Sequence, residues 1–248
     1  MIVKGSFEKA RLYIELRSKS SEQGKIRLKQ GPTITISRET GSGADLVSEA
    51  LLKFFKPLDE GYEHQWVVFD KNLIERVIED HHLPEKLSKY FVEDKLSELK
   101  STVNELLGIH PHSWVLVKKT THTILQLAQI GNVIIVGRGG NIITGNMKNA
   151  FHVRLVAPME NKIKRIQERF SLTRKDAIEY IEKEDIARKN YVKKYFSKNV
   201  SDLSLYHIVI NTGFMSYEKA AKSIAEIVIE TYPELFPQNM FTSQYDYA

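Results

Sequence analysis

The chain has 248 residues, 42% apolar and 27% charged, with a formal net charge of +5 and no cysteine. That length holds one large α/β domain or at most two small ones. The lack of cysteine excludes disulfides, thiol nucleophiles and thiolate metal sites, while the mild cationic excess favours an anionic ligand and is too small to argue for nucleic acid.

No apolar run approaches the ~18 residues of a membrane span, and no signal-peptide pattern opens the chain, so a soluble, cytoplasmic protein is expected. Residues 1–30 contain a helix-compatible segment, Ser6 to Ser20, with Phe7, Ala10, Tyr13 and Leu16 on one face; Ser20-Ser21-Glu22-Gln23-Gly24 stops it. This arm is expected to be an N-terminal helical extension, a surface helix lying on the main domain or on a partner subunit, in the latter case seating a homo-oligomer.

From Thr33 the pattern changes. Ile34-Thr35-Ile36-Ser37 reads as a buried strand, Gly41-Ser42-Gly43 as a turn, and Leu46, Val47, Ala50, Leu51, Phe54 and Phe55 as the apolar face of a helix ended by Lys56-Pro57. Gln65 to Phe69 is a second short strand, closed by Asp70, with a helix over 71–80. Residues 84–108 are polar and helix-compatible, an expected helical insertion. Leu116, Val117, Thr120, Thr121, Ile124 and Ala128 mark an amphipathic helix closed by Gly131. Val133 to Val136 is the kind of apolar run found in central parallel strands, and Gly137-Arg138-Gly139-Gly140 follows at once. A strand over Phe151–Val156 leads into a basic helix, Met159 to Phe170, with Ile163, Ile166 and Phe170 inside. A charged helical stretch, Thr173–Lys194, a last strand, His207–Ile210, and a helix after Ser216 complete the pattern. Residues 232–248 are expected to be a loosely packed tail.

Five alternations of strand and helix predict a parallel sheet between helices, with ligands at the C-terminal ends of the strands. Arg38–Gly43, Asp70 and Gly137–Gly140 all fall there. The strand–turn–helix junction at Gly41-Ser42-Gly43 directs free N–H groups and a helix dipole at one spot, which suits phosphate; equally, it is a tight connection needing glycine. It nearly matches G-x-x-x-x-G-K-[ST], but Arg38 stands at the first glycine, Ala44 at the lysine and Asp45 at the hydroxyl residue. Asp70 is a candidate for a ligand hydroxyl or a magnesium-bound water, or else a helix N-cap. Arg138 has room between glycines to grip a phosphate with its guanidinium fork, or to form an ion pair with a sheet-end carboxylate. Lys162, Arg165 and Arg169 form a cationic stripe, by default a solvated face. Asp185 and Arg188 make either an ordinary helix pair or an anion clamp oriented by its carboxylate. The eight histidines show no ligand spacing, so no protein metal site is expected.

Taken together, ITISRETGSGADL, VVFDKNLIERV, NVIIVGRGGNII with RLVAPMENKIKRI, and EKEDIARKNYVKKYF leading to YHIVINT resemble the cytidylate-kinase-like family of nucleoside monophosphate kinases, from about Thr33 to Ile229. The resemblance implies a three-layer P-loop kinase fold over 31–231, a parallel sheet flanked by helices with a helical lid at about 171–198, between the extension 1–30 and the tail 232–248. It implies transfer of the ATP γ-phosphoryl group, with Mg²⁺, to a nucleoside monophosphate such as CMP or dCMP; the alternative is a weak or inactive nucleotide-binding sensor or scaffold. Arg38, Gly41, Ser42 and Gly43 fall on the ATP phosphate loop. Asp70, Arg76, Arg165, Arg169 and Asp185 fall on or near the acceptor site, and Arg138, Arg188 and Asp70 are the candidates for the chemistry. This sequence departs from true cytidylate kinases at Ala44 and Leu46, which replace the loop lysine and hydroxyl residue, at Gly139, which replaces the Asp of Gly-Arg-Asp, and at Glu184, which stands where a lid arginine is expected.

Overall fold

The computed structural model describes residues 8, 10–15, 30–56, 65–80, 102–103 and 114–236. Five strands, β1 (Thr33–Arg38), β2 (Val67–Phe69), β3 (Val133–Val136), β4 (Ala150–Val156) and β5 (Ile208–Asn211), form one sheet in the order β2-β3-β1-β4-β5. Every pairing is parallel, with Ile34 opposite Ile134 on one side and Phe151 on the other. Residues at successive positions point to opposite faces, so β3 contributes to two separate cores, while β1 gives Ile34 and Ile36 to one of them and turns Thr33 and Thr35 the other way.

Ile34, Ile36, Ile134 and Val136 pack under helices α1 (Ala44–Phe55) and, later in the chain, Tyr217–Thr231. Val133 and Ile135 pack on the other face, under α2 (Lys71–Glu79) and α3 (Val115–Ile130). The short α4 (Gly140–Ile143) follows β3, and α5 (Met159–Phe170) follows β4. The long α6 (Arg174–Phe196) crosses the mouth of the sheet, and α7 (Tyr217–Thr231) ends the regular elements. The result is three layers, helices on both faces of a parallel sheet, as expected.

Helical residues 10–15 lie on the main domain: Ala10, Tyr13 and Ile14 are at most 1% exposed while Arg11 and Leu12 face outward, and the Tyr13 hydroxyl donates to the carbonyl of Gly131 at 2.5 Å. Three expectations are corrected. The tail is not loose from residue 232. The Tyr232 hydroxyl donates to the Ala150 carbonyl at 3.0 Å, and Phe236 stacks on Phe55, which stacks in turn on Trp66; residues 237–248 lie outside the described ones. Phe170, expected inside, is 45% exposed, because α5 ends beside it at Ser171 with φ 54°, and its ring leans on Tyr180. Leu116, at the start of α3, is also exposed. The expected insertion at 84–108 lies outside the described residues except for helical residues 102–103, where Val103 is buried.

Helices α5 and the first half of α6 form a hairpin with a small core of their own, Ile163, Ile166, Ala177 and Ile181. The far end of α6 is anchored elsewhere: Phe196 joins the main core beside α3 and sits where a Cβ on Gly139 would be. The middle of α6 thereby hangs across the C-terminal ends of β1 and β3.

Candidate functional site

The loop from β1 to α1 is built around two left-handed glycines, Gly41 at φ 80° and Gly43 at φ 82°, a region in which side chains are strained. A Cβ on Gly41 would stand 2.9 Å from the Cα and carbonyl oxygen of Lys162 in α5, and one on Gly43 would overlap the ring of Tyr217. Gly43 is the N-cap of α1, and no side chain caps that helix. Its first-turn N–H groups and the positive end of its dipole are therefore offered to whatever anion enters the loop. The Ser42 hydroxyl turns inward and donates to the Glu39 carbonyl at 2.8 Å, while the Ser42 carbonyl accepts from Thr212 at 2.8 Å; this serine shapes the loop. Gly43→Ala is expected to cost about 1–2 kcal/mol from the left-handed backbone alone, and more from displacing Tyr217. Thermal unfolding should show the loss as a drop of several degrees in Tm, and an unchanged Tm would mean that the loop relaxes freely.

The middle of α6 closes on this loop. One oxygen of Asp185 accepts the Thr40 N–H at 2.7 Å, the Thr40 hydroxyl at 2.6 Å and Arg188 at 2.9 Å. Arg188 also donates to the Thr40 hydroxyl oxygen and bonds Glu184 at 3.3 Å. The pair thus does more than decorate one helix: it ties α6 to the loop.

Three guanidinium groups meet beside it. Arg38, the last residue of β1, runs past Gly137, where a Cβ would overlap its guanidinium. The flanking glycine thus makes room for an arginine of this chain. Burial first, then the like charge of Arg188, pushes Arg38 down to about 10; Arg138 adds to that push, and Asp70 and Glu184 oppose it. Among the described residues Arg38 has no hydrogen-bond or ion-pair partner. Arg138 takes the structural alternative, an ion pair with Glu75 of α2, and lies over the Tyr191 ring at 5.5 Å. Its Nε remains buried without a partner, as does Nδ2 of Asn141. Burial raises the Tyr191 phenol, and Arg138 counters part of that rise.

Asp70 caps α2 by accepting the Leu73 N–H at 2.8 Å, so that alternative is realised too, without removing Asp70 from the electrostatic surroundings of Arg38. Arg76 is exposed in the last turn of α2. Arg165 and Arg169 do not form a free cationic edge. Both bind Asp45 in the first turn of α1, at 2.8 and 2.5 Å, and Arg165 stacks on Tyr217 at 4.7 Å. Asp45, which stands at the Ser/Thr position of the general G-x-x-x-x-G-K-[ST] pattern, therefore draws α5 over the loop instead of facing an incoming phosphate.

Sequence reasoning missed Glu39, Thr40 and the placement of Lys162. Lys162, expected on a solvated stripe, is 8% exposed, with Nζ 3.0 Å from Glu39 and 3.9 Å from Asp185. The only signal was its place one helical turn before Ile166 on the buried side of α5.

The model of the cytidylate kinase-like family matches residues 33–213. A protein of Corynebacterium glutamicum named uronate isomerase is 29% identical over 49% of this chain and 23% of its own length. The cytidylate kinase of Thermoplasma acidophilum is 31% identical over 49% of this chain and 64% of its own. The chain thus spans less than two thirds of the length of these curated relatives. A crystal structure of an uncharacterized protein from Eubacterium ventriosum superposes on 81% of this chain and 99% of its own, with a TM-score of 0.64 and 22% identity, which shows a shared fold.

Proposed function

Because the chain belongs to the cytidylate kinase-like family, we propose that it transfers the terminal phosphoryl group of ATP to a nucleoside monophosphate, with CMP and dCMP the first acceptors to try. One observation carries the reading: three arginines, Arg38, Arg138 and Arg188, converge from β1, the β3 end and α6 beside a glycine loop whose helix is uncapped. Like charges gathered in a partly dry place are costly unless an anion of high charge joins them, and two phosphate chains meeting end to end are such an anion.

In the reaction the bond between the β–γ bridging oxygen and the γ-phosphorus breaks and a phosphate oxygen of the monophosphate takes its place, giving ADP and a nucleoside diphosphate. The protein's part is positioning and charge neutralisation. Loop N–H groups hold the donor phosphates, Arg188 spans loop and lid, and Arg38 and Arg138 face the transferring group. Closure of α6 keeps water from replacing the acceptor.

A magnesium ion would enter on the nucleotide phosphates with several of its own waters. Asp70 caps α2 through one oxygen, leaving the other to hold one of those waters. The ion supplies further neutralisation of the phosphates.

A second reading, a nucleotide sensor with little turnover, is favoured by Ala44 in place of the loop lysine and by the self-satisfied contact between Asp185 and Thr40. Diphosphate formation from each common monophosphate with ATP–Mg²⁺, measured beside binding of each nucleotide, separates the two. Arg188→Ala is expected to lower turnover by about 10³-fold, as for other arginines that neutralise a transferring phosphoryl group. Tight ATP binding with no diphosphate from any acceptor would leave the sensor reading standing.

A further inference from the structure

We infer that Lys162 supplies from α5 the phosphate-facing ammonium that the glycine loop itself lacks. The inference rests on the reading of the site as an ATP site and assigns a residue to one of its tasks.

Ala44 stands where a loop lysine would reach back to the donor phosphates. Lys162 is a cation that the fold brings against that loop from α5. Its main chain lies against Gly41, where any side chain would push α5 away, so the glycine at that position serves the seating of Lys162 as well as the turn. Its side chain is nine-tenths buried, and its ammonium is held by a single hydrogen bond, to Glu39 at 3.0 Å. Asp185 Oδ2, at 3.9 Å, is an ion-pair partner beyond hydrogen-bond range, while Oδ1 of the same carboxylate is taken by Thr40 and Arg188. An ammonium carries three donors, so two are left without an acceptor among the described residues.

A purely structural Glu39–Lys162 bridge would leave those donors as an uncompensated cost of burial. A phosphate oxygen entering the loop satisfies them, while Glu39, which also faces the Ala157 N–H at 3.4 Å, keeps the side chain aimed. The arrangement puts the cation on the lid hairpin instead of the loop, since α5 and α6 share one small core. Donor-phosphate recognition is thereby coupled to lid position.

The test compares wild type with Lys162→Met, Lys162→Arg and the double variant Glu39→Gln/Lys162→Met, in which no carboxylate is left unpaired should the single variant fold poorly. Calorimetry reads affinity for ATP–Mg²⁺, ADP–Mg²⁺ and AMP, and a coupled assay reads diphosphate formation. The expected result is a loss of about 10²-fold or more in turnover for both Met variants, a loss of ATP affinity larger than that for AMP, and partial rescue by Arg. Wild-type turnover in a folded Met variant, or equal losses of ATP and AMP affinity, would overturn the inference while leaving the kinase reading intact. A wild-type protein that neither binds ATP nor transfers phosphate would overturn that reading and the inference with it.

Discussion

Replacing Arg38 by Met should make the ligand-free protein more stable and its nucleotide site nearly useless. The two effects have one cause. Arg38 ends β1 half-buried, has no direct partner among the described residues, and faces the charges of Arg188 and Arg138. Its drop from 12.5 to about 10 is the mark of a charged form that the empty fold disfavours, corresponding to about 3 kcal/mol at ~1.4 kcal/mol per unit. Methionine keeps an unbranched, adaptable stem in the channel beside Gly137 without the charge. Thermal unfolding of the variant is therefore expected to shift up by a few degrees, at ~2–4 °C per kcal/mol for a chain of this size. ATP–Mg²⁺ affinity and turnover should fall together, by about 10²-fold or more, once one of three preorganised cations is gone. The trade-off of stability against function is the discriminating feature. A lower Tm with unchanged nucleotide binding would show Arg38 to be a structural residue and remove the main support for an anion at this spot.

The fold was legible because its strands are short runs rich in β-branched and aromatic residues: Ile34–Ile36, Val133–Val136 and Phe151–Val156 need no partner information to be recognised. Gly41-Ser42-Gly43 was legible as a turn for a related reason, since glycines beside a buried strand end have few uses. What could not be read locally was pairing across the chain. Lys162 and Glu39 are 123 positions apart, and Asp45 meets Arg169 across 124, so a stripe of cations on α5 gives no hint that its nearest surface is the loop after β1 and not water. The same distance hid the docking of Tyr13 on Gly131. Tyr232 and Phe236 were misjudged because Pro233 ends the helical periodicity while the apolar side chains continue to pack. Exposure of Phe170 follows from where α5 stops, a boundary set by Ser171 in the left-handed region, which residue type alone does not announce.

Acidification should destabilise the protein through a buried histidine pair away from the loop. His152 of β4 is 5% exposed; its Nδ1 shares a hydrogen bond with the Thr35 hydroxyl at 2.9 Å, and its backbone N–H donates to Nδ1 of His207 at 2.9 Å. Burial first, then the neighbouring His207 charge, lowers His152 from 6.5 to about 4, and burial lowers His207 as well. An Nδ1 that accepts an N–H cannot carry a proton without breaking that bond, and the two rings are centred only 4.9 Å apart, so two cations there repel. In the unfolded chain both groups titrate near 6.5. Below that pH the unfolded state binds a proton that native His152 refuses, so the stability contributed by the neutral ring is fully present above pH 6.5 and is lost as pH falls towards 4. A shift of this size corresponds to at most about 3 kcal/mol, a large share of the ~5–15 kcal/mol that holds a typical domain together. Urea unfolding at pH 7.5, 6, 5 and 4 should show the midpoint falling across that window with little change in slope. His152→Gln, which keeps a polar partner for Thr35 but cannot titrate, is expected to flatten the fall by about half or more. If the variant and the wild type lost stability in parallel, the acid sensitivity would belong to other groups, and the histidines would be bystanders.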